Sequence, residues 1–350
     1  MINKKNILIT GIGGAGVGRQ IIKALQLSTL PLRLFGSDSN NDTFGLEDVE
    51  KFIRLPLAND KNYIPTLLNF CLENKIEALF PGSEPELLII SKNIKIFKQK
   101  KIYVPINPYS LISKCLDKFE CYNFLMEGGF NCPTSYLIRN IEDTKKINFF
   151  PMVLKPCTGS GGSSNVLIVQ NKEELNMFTH YLLINGINII AQHYIGNPEN
   201  EYTVGVLSTP EGTIINSITL KRFLNYGIGY KEGIKNRTPY KELGEKLIIS
   251  SGISQGEFIE KSFINETCEH ISLLLGSTSA INIQGRIHNN KFYVFEINPR
   301  FSGTTSARAL MGYNEPEILL KNYLFKEPID FNFKYKRGKV YRGLLERIIK

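Results

Sequence analysis

The sequence predicts an α/β protein in two unlike parts. Over residues 1–112, short apolar strands alternate with segments of helical apolar spacing, which is the pattern of a parallel sheet with helices on both faces. From residue 113 onward, strands follow one another in pairs, which is typical of an α+β region with antiparallel strands. A length of 350 residues allows two or three domains. We place them at residues 1–112, 113–190 and 191–350.

The elements of the first part follow a βαβαβαβ order. Strands are expected at residues 6–10, 32–38, 76–81 and 102–106, and helices at residues 17–26, 63–74 and 85–100. Ligands of parallel sheets bind at the carboxyl ends of the strands, and residues 82–84 follow the third strand at such an end.

The second part is expected to open with one helix over residues 113–129, with Ser113 as its N-cap and Gly128-Gly129 as its stop. Further strands are predicted at residues 150–156, 165–170, 187–196, 201–209, 213–223, 280–287 and 292–300. Helices are predicted at residues 172–183, near 257–275 and around 315–325.

Bulk composition excludes several classes of protein. Apolar residues make up 42% and charged residues 21% of the chain, which is ordinary for a globular protein. No apolar run reaches the roughly 18 residues of a membrane helix, and the N-terminus lacks a signal-peptide cleavage pattern. The six cysteines show neither a C-x-x-C pair nor zinc spacing. They predict reduced thiols and a cytoplasmic location.

The net charge of +9 arises largely near the C-terminus. The basic residues of this segment are Lys334, Lys336, Arg337, Lys339, Arg342, Arg347 and Lys350. Because glycines and stacking aromatic side chains are sparse there, we expect a solvated tail or a final helix rather than a nucleic-acid site. A positive surface also favours anionic substrates such as a nucleotide.

A glycine motif follows the first strand. Gly11, Gly13 and Gly16 form G-x-G-x-x-G before a helix, and Asp38 ends the next strand. A strand, a glycine turn, a helix and an acidic residue about 20 positions later are the features of a dinucleotide-binding site. The alternative is that the glycines only make a tight turn and let helix and sheet pack closely. At this point both interpretations stay open.

A polar cluster is predicted on a hairpin late in the chain. Glu296 and Asn298 are two apart on a strand and therefore share a face. A two-residue turn would place Gln284 of the preceding strand opposite to that face, whereas a longer loop or a bulge would place it beside Glu296. We predict the second register, which brings in Arg300 as well. Carboxylate and amide oxygens suit Mg²⁺ held together with substrate phosphates, and the alternative is a solvated edge hairpin.

A glycine-rich loop follows Lys155 at the end of a strand. Its residues are Gly159, Ser160, Gly161, Gly162 and Ser163. Backbone amides of such a loop can bind phosphate oxygens while the lysine supplies a charge. The lysine precedes the glycines, so this is not a Walker loop, and a mobile hairpin turn is the alternative.

The order of these motifs resembles the ATP-grasp ligases, most closely the carbamoyl-phosphate synthase large-subunit type and its single-unit relatives. The resemblance extends over residues 1–325. It rests on the order of Lys118, Lys155 with its glycine loop, the segment of residues 191–202, Gln284 and the Glu-Ile-Asn-Pro-Arg motif of residues 296–300. It implies a Rossmann-like pre-ATP-grasp domain that does not bind NAD, a lid subdomain with the glycine loop, and a C-terminal subdomain with the metal site. The glycines of residues 11–18 would then pack a turn and line the acceptor-substrate cleft.

The resemblance also implies roles for single residues. The ATP-binding set would be Lys118, Lys155, Gly159, Ser160, Gly161, Gly162, Ser163, Gln192, His193, Tyr194, Ile195, Glu201 and Lys221. Within it, residues 192–195 would form a hinge that meets adenine largely through backbone groups. Glu201 would reach the ribose, and Lys221 with the adjacent Arg222 would contact phosphate.

The remaining roles concern metal and chemistry. The resemblance implies that Gln284, Glu296 and Asn298 hold Mg²⁺, with Mn²⁺ as a substitute, and that Arg300 and Lys155 act in catalysis. The implied reaction is activation of a carboxylate by ATP to an acyl phosphate, followed by attack of an amine or a thiol. Partners would be small-molecule carboxylates and amines, with no membrane and no nucleic acid, and a homodimer is compatible with this interpretation.

This sequence departs from the synthase pattern in three respects. It carries one unit where the synthase has two, and Phe301-Ser302-Gly303 stands where the synthase has a second basic residue. Because that second basic residue is missing, bicarbonate is not the expected substrate. Gln192 also replaces the more usual acidic hinge residue. The alternative functions are a non-catalytic nucleotide-binding protein and an NAD(P)-dependent oxidoreductase that uses residues 11–38.

Overall fold

A four-stranded parallel sheet forms the centre of the N-terminal region. The computed structural model describes residues 4–14, 16–159, 163–224, 227–343 and 345–346. The strands are β1 (Lys5–Ile9), β2 (Leu32–Asp38), β3 (Lys51–Arg54) and β4 (Ala78–Phe80), in the order β3-β2-β1-β4. The helices are α1 (Val17–Gln26), α2 (Tyr63–Glu73), α3 (Glu84–Lys92) and α4 (Ile94–Gln99).

Helices cover both faces of this sheet because β1 is apolar on both sides. Ile7 and Ile9 pack in one cluster with Ile21 of α1, whereas Leu8 packs in another with Leu67 of α2. A strand buried on both faces is expected to read as a continuous apolar run, and the parallel sheet predicted for this region is confirmed.

Three predicted details of this region were wrong. The strand expected at residues 102–106 is reduced to an isolated bridge between Ala78 and Tyr103. The short strand β3 was missed. The helix expected at residues 85–100 is divided at Asn93, which ends α3 and precedes α4 while its side chain donates to the Ile89 carbonyl at 2.9 Å.

Two helices replace the single helix predicted at residues 113–129. They are α5 (Tyr109–Leu116) and α6 (Lys118–Glu127), and Asp117 separates them. The Asp117 carboxylate accepts hydrogen bonds from the amides of Phe119 at 2.9 Å and Glu120 at 3.1 Å. An aspartate in this role is a favourable N-cap, so the helix starts anew at Lys118 instead of being capped by Ser113.

Antiparallel sheets form the rest of the chain, as predicted. One has the order β5-β8-β6-β7, built from β5 (Ser135–Ile138), β6 (Met152–Pro156), β7 (Leu167–Val169) and β8 (Ile189–His193). A two-stranded sheet pairs β11 (Tyr230–Lys235) with β12 (Lys246–Ser250). The largest has the order β15-β14-β9-β10-β13-β16, with β9 (Glu201–Ser208), β10 (Ile214–Arg222), β13 (Gly256–Ile259), β14 (Ala280–His288), β15 (Lys291–Asn298) and β16 (Gly338–Val340).

The helices of this part are α7 (Lys172–Ile184), α8 (Ser262–Leu274), α9 (Thr305–Leu310) and α10 (Glu315–Phe325). The helix expected near residues 257–275 begins only at Ser262, because residues 256–259 pair with β10 as β13. In the described part of the C-terminal segment, residues 326–343 and 345–346, no helix forms and β16 pairs with β13. Arg347 and Lys350 lie outside the described residues.

The register predicted for the late hairpin is confirmed. Gln284 pairs directly with Glu296. The connecting turn has only two residues, Asn289 and Asn290, both with positive φ (48° and 59°), which is typical of a tight hairpin turn. A bulge between Gln284 and Gly285 leaves Phe295 as the extra residue. The bulge shifts the alternation by one residue and brings the two polar side chains to the same face.

The two regions share one hydrophobic core. Ile21 of α1 belongs to the same buried cluster as Leu220 of β10 and Tyr313 before α10. The Asn107 side chain also donates to the carbonyls of Ala280 at 2.9 Å and Pro299 at 3.1 Å. The N-terminal region is therefore held against the largest sheet. Within the described ranges, each helix is too short or too polar to cross a bilayer.

Candidate active site

Two adjoining cavities lie where the sheets meet. The larger, of about 490 Å³, is lined by residues of both the N-terminal region and the later sheets, and we call it the cleft. The smaller, of about 100 Å³, is the inner pocket. They share the lining residues Lys118, Ser163, Gln192, Ser250, Phe295 and Glu296. A ligand that occupies both cavities would pass over these residues.

The oxygen cluster predicted from the sequence lines the cleft. Glu296 lies at the junction of the two cavities, and Gln284 and Asn298 lie beside it on the cleft wall. The Gln284 side-chain oxygen accepts from Arg222 at 3.2 Å, and that of Asn298 accepts from Arg300 at 2.9 Å. An amide oxygen has a second lone pair, so both remain able to bind a cation.

The donor set fits Mg²⁺ as part of a substrate complex. It consists of one carboxylate and two amide oxygens, and the described residues contain no group of three or more His, Cys, Asp or Glu side chains that could hold a metal. Mg²⁺ is usually held by one or two carboxylates together with substrate phosphates and water. Gln284, Glu296 and Asn298 are therefore suited to hold the ion only when phosphate completes its coordination.

Arg300 connects this cluster to the N-terminal wall of the cleft. Its guanidinium donates to Glu84 at 2.7 Å, to the Asn298 side chain at 2.9 Å and to the Phe301 carbonyl at 3.1 Å. Burial alone would raise the pKa of the Glu84 carboxyl, but the charges of Arg300 and Lys118 hold that pKa below its usual value.

Lys155 is buried in the wall of the inner pocket. Its ammonium group donates to the Gln192 side chain at 2.9 Å and to the Phe295 carbonyl at 3.1 Å. Burial lowers the pKa of Lys155 to about 8, although the charge of Glu296 acts in the opposite direction. Lys118 lines both cavities, and its backbone amide donates to the Cys157 carbonyl at 2.9 Å. Both lysines predicted from the sequence thus reach the site.

The two described residues of the glycine loop, Gly159 and Ser163, lie at the site. Both line the cleft. The Ser163 hydroxyl donates to the Ser250 carbonyl at 2.9 Å, and Lys231 donates to the Ser163 carbonyl. Ser160, Gly161 and Gly162 lie outside the described residues.

The predicted hinge lines the inner pocket. Gln192, His193, Tyr194 and Ile195 all contribute to its wall. The amide of His193 donates to Thr134 at 2.9 Å and that of Tyr194 to Pro151 at 3.0 Å. These two amides already donate to carbonyls of the protein. They are therefore not available as hydrogen-bond donors to an adenine ring.

A family model described as an ATP-grasp domain matches residues 115–304. The chain belongs to the ATP-grasp family. A model described as a PylC-like N-terminal domain matches residues 7–105 of this ATP-grasp protein.

The curated relatives are similar to this ATP-grasp chain over part of their length. The carbamoyl phosphate synthase large chain of Thermoplasma volcanium is 25% identical over 271 residues, which are 70% of this chain and 24% of the relative. That of Thermoplasma acidophilum is 26% identical over 266 residues, which are 71% of this chain and 23% of the relative. The chain therefore spans about a quarter of the length of the curated relatives that it matches.

Solved structures show the same fold. An L-amino acid ligase from Bacillus licheniformis aligns with a TM-score of 0.65 and 18% identity, over 93% of this chain and 75% of that one. A biotin carboxylase from Campylobacter jejuni aligns with a TM-score of 0.62 and 16% identity, over 91% and 70%. The biotin carboxylase domain of the Hydrogenobacter thermophilus 2-oxoglutarate carboxylase, solved with MgADP, aligns with a TM-score of 0.61 and 16% identity, over 91% and 69%.

The glycine motif of this ATP-grasp chain packs the fold. A Cβ on Gly13 would lie 2.6 Å from the Thr43 hydroxyl oxygen, and one on Gly18, two positions after the motif, would lie 2.3 Å from the Thr10 carbonyl oxygen. The Asp38 carboxylate accepts from the Gly13 amide at 2.8 Å. Gly16 nevertheless lines the cleft. Asp38, the acidic residue of the dinucleotide interpretation, thus accepts a hydrogen bond from the glycine turn itself.

Three predicted nucleotide contacts are not supported by the geometry. Neither Lys221 nor Arg222 lines the cleft or the inner pocket in the described structure. Side chains alternate along a strand, so Lys221 lies on the sheet face where Thr219 bonds to Asn265 of α8, while Arg222 points to the cleft side and bonds to Gln284. Glu201 borders the inner pocket, but its side chain is buried and bonded to two arginines rather than free for a ribose.

The sequence interpretation missed several residues of the site. Glu84 follows a predicted strand end, but no local pattern indicates its pairing with Arg300, 216 positions away. Residues 250–254, which line the cleft, had no signal beyond their small polar composition. Arg286 lies two positions after Gln284 on the same strand, and this alternation was the available signal for its inward orientation.

Proposed function

We propose that the chain is an ATP-dependent ligase that joins a carboxylate to an amine, or less often to a thiol, through an acyl phosphate, with release of ADP and phosphate. The observation that carries this proposal is the convergence of Lys155, Glu296 and Arg300 on adjoining cavities. Membership of the ATP-grasp family supports it. We also propose the domain boundaries 1–112, 113–190 and 191–350, which leave the cleft between the first domain and the other two.

The inner pocket is suited to adenine. Its wall combines the hinge with the apolar side chains of Val153, Val166, Ile248, Ile249 and Phe295, and a flat heterocycle is stabilised by apolar surface on both faces. ATP in this pocket would direct its phosphates toward Lys155, Lys118 and Glu296 at the junction. Mg²⁺ held by Gln284, Glu296 and Asn298 would neutralise phosphate charge, and Mn²⁺ is a proposed substitute.

The acceptor carboxylate would bind in the cleft beside Arg300, Glu84 and Gly16. In the first step, a carboxylate oxygen attacks the γ-phosphorus, the bond to the β,γ-bridging oxygen breaks, and ADP leaves. In the second, the amine attacks the acyl carbon, loses a proton, and displaces phosphate. Phosphoryl transfer requires positioning and stabilisation of charge more than covalent participation of the protein. The cationic side chains of Lys118, Lys155 and Arg300 would supply this stabilisation.

A screen for ADP release tests the proposal. Purified protein with Mg²⁺ and ATP is given a matrix of small carboxylates and amines, including amino acids, and ADP is measured with a coupled assay. We expect release that depends on both partners for at least one pair, and its loss in Glu296→Gln. Tight MgATP binding without release for any pair would favour a non-catalytic nucleotide-binding protein instead.

A further inference from the structure

A buried carboxylate lies between two buried arginines next to the site. The Glu201 side chain has no exposed surface, and its two oxygens are divided between the partners. One accepts from Arg222 at 2.9 Å and the other from Arg286 at 2.9 Å. A single carboxylate that bridges two guanidinium groups ties the orientation of one to that of the other.

Arg286 extends from Glu201 to the inner pocket. Its guanidinium donates to the Ile248 carbonyl at 2.9 Å and to the carbonyls of Ile195 and Gly196, both at 3.4 Å. It also stacks over the Tyr194 ring, with 4.6 Å to the ring centre. One side chain therefore holds the hinge and the opposite wall of the pocket at a defined separation.

Arg222 extends from Glu201 to two residues that line the cleft. It donates to the Gln284 side-chain oxygen at 3.2 Å and to the Ser251 carbonyl at 2.7 Å. Gln284 is one of the three candidate metal ligands, and Ser251 belongs to the segment 250–254 that lines the cleft. The second arginine thus orients a metal ligand and a wall of the acceptor side.

We propose that Arg222, Glu201 and Arg286 form a positioning triad that couples the adenine end of the site to its metal end. The proposal rests on the proposed function. Arg286 holds the walls of the pocket that receives adenine, and Arg222 orients the Gln284 side chain. Because Glu201 bonds to both arginines, a displacement of one of them is transmitted to the other. All three residues act through other groups and need not touch a substrate.

A second buried ion pair provides a matched control. Arg19 donates to Asp48, and their side chains are only 3% and 7% exposed. Neither of these two residues lines the cleft or the inner pocket. Arg19→Lys therefore reports how the loss of a buried arginine side chain affects stability away from the site.

The test is calorimetric ADP binding, with and without Mg²⁺, to the full chain and to single variants. Arg286→Lys should weaken Mg²⁺-free ADP binding about tenfold and, because Glu201 links the two arginines, should also reduce the gain from Mg²⁺ about threefold. Arg222→Lys should reduce the gain from Mg²⁺ about tenfold or more, the scale for a residue that orients a metal ligand, and should also weaken Mg²⁺-free binding about threefold. An effect of each variant on its own end alone would contradict the coupling. Arg19→Lys should lower the melting temperature and leave both affinities unchanged.

Coupling is measured by the double variant and by Glu201→Gln. The effects of Arg222→Lys and Arg286→Lys should be non-additive, and Glu201→Gln, which keeps the shape, should weaken both Mg²⁺-free binding and the Mg²⁺ gain. If Arg222→Lys does not fold, the binding measurements on Glu201→Gln alone decide whether the two ends of the site are coupled. Binding like that of wild type in Glu201→Gln, or identical losses in all arginine variants, would overturn the triad. Wild-type protein that binds no MgADP would overturn the proposed function and the triad together.

Discussion

Arg300 and Glu84 lie 216 positions apart in the chain and form an ion pair of 2.7 Å across the cleft. Glu84 begins α3 of the N-terminal region, and Arg300 follows β15 of the largest sheet. Both side chains keep about a fifth of their surface exposed, so an incoming acceptor can reach them. The pair fixes the guanidinium at the junction between the acceptor side and the candidate metal ligands.

Arg300→Lys is expected to separate chemistry from nucleotide binding. Lysine keeps the positive charge but lacks the planar guanidinium, whose several N–H groups can bond to Glu84, Asn298 and the transferred phosphate at the same time. We expect ATP affinity within about twofold of wild type by calorimetry, and steady-state product formation lower by about a hundredfold or more, the scale for one lost electrostatic contributor.

The control for this change is Arg33→Lys, which alters an exposed arginine paired with Glu50 at 3.5 Å. It should match wild type in both measurements. If Arg300→Lys loses ATP affinity while turnover at saturating ATP stays normal, Arg300 is a nucleotide ligand and not a residue of the transfer step.

Glu296→Gln should preserve the fold and remove most activity. The carboxylate lies at the junction of the two cavities and is only partly buried, so the isosteric change should shift the melting temperature little. ADP release should fall by at least about a hundredfold, and higher Mg²⁺ should restore part of it. Glu50→Gln, on an exposed carboxylate, is the control. Unchanged turnover of Glu296→Gln at saturating Mg²⁺ would make this residue a solvated side chain of the hairpin.

The pH dependence of ATP use should report the titration of Lys155. Burial lowers the pKa of this ammonium to about 8, so its positive charge is lost as the pH rises through that value, well below the range of an exposed lysine. Because kcat/KM reports the free enzyme, kcat/KM for ATP should decline above about pH 8. Lys155→Arg should remove this limb, since a guanidinium stays charged.

A substitution at Gln192 tests the titration of Lys155 independently. Its side-chain oxygen accepts from Lys155 at 2.9 Å, and a carboxylate at that position would favour the charged lysine. Gln192→Glu should therefore raise the pKa of Lys155 and shift the alkaline limb to higher pH. A limb that stays in place in both variants would assign it to a different group.

The protein should bind ATP through the motifs of residues 118–300, and the glycine turn of residues 11–16 should not bind NAD. The Asp38 carboxylate is bonded to the Gly13 amide, and Gly18 packs against Thr10, which leaves the turn engaged in packing. We expect binding of MgATP and no binding of NAD or NADP at millimolar concentration by calorimetry. Micromolar binding of NAD with none of ATP would contradict the family-based function and restore the dinucleotide interpretation.

The local sequence pattern was sufficient for the parts of the site that lie on one hairpin. Alternation placed Glu296 and Asn298 on one face, and the choice of a register with a bulge brought Gln284 beside them. Likewise, the alternation of strands and helices over residues 1–112 predicted a sheet covered on both faces, and Ile7 and Leu8 of β1 do pack in opposite cores. These outcomes depend on backbone periodicity, which a short stretch of residues determines by itself.

Only the tertiary structure decided which charged groups meet. Glu201 was expected at a ribose, yet its partners are Arg222, 21 positions away, and Arg286, 85 positions away, on strands that become its neighbours only in the folded sheet. Lys221 and Arg222 are adjacent in sequence, and the sheet directs one toward α8 and the other toward the cleft. A charge has no period along the chain, and its energy depends on burial and on the distance to other charges. The sequence therefore determined the faces, and the packing of distant strands determined the ion pairs between them.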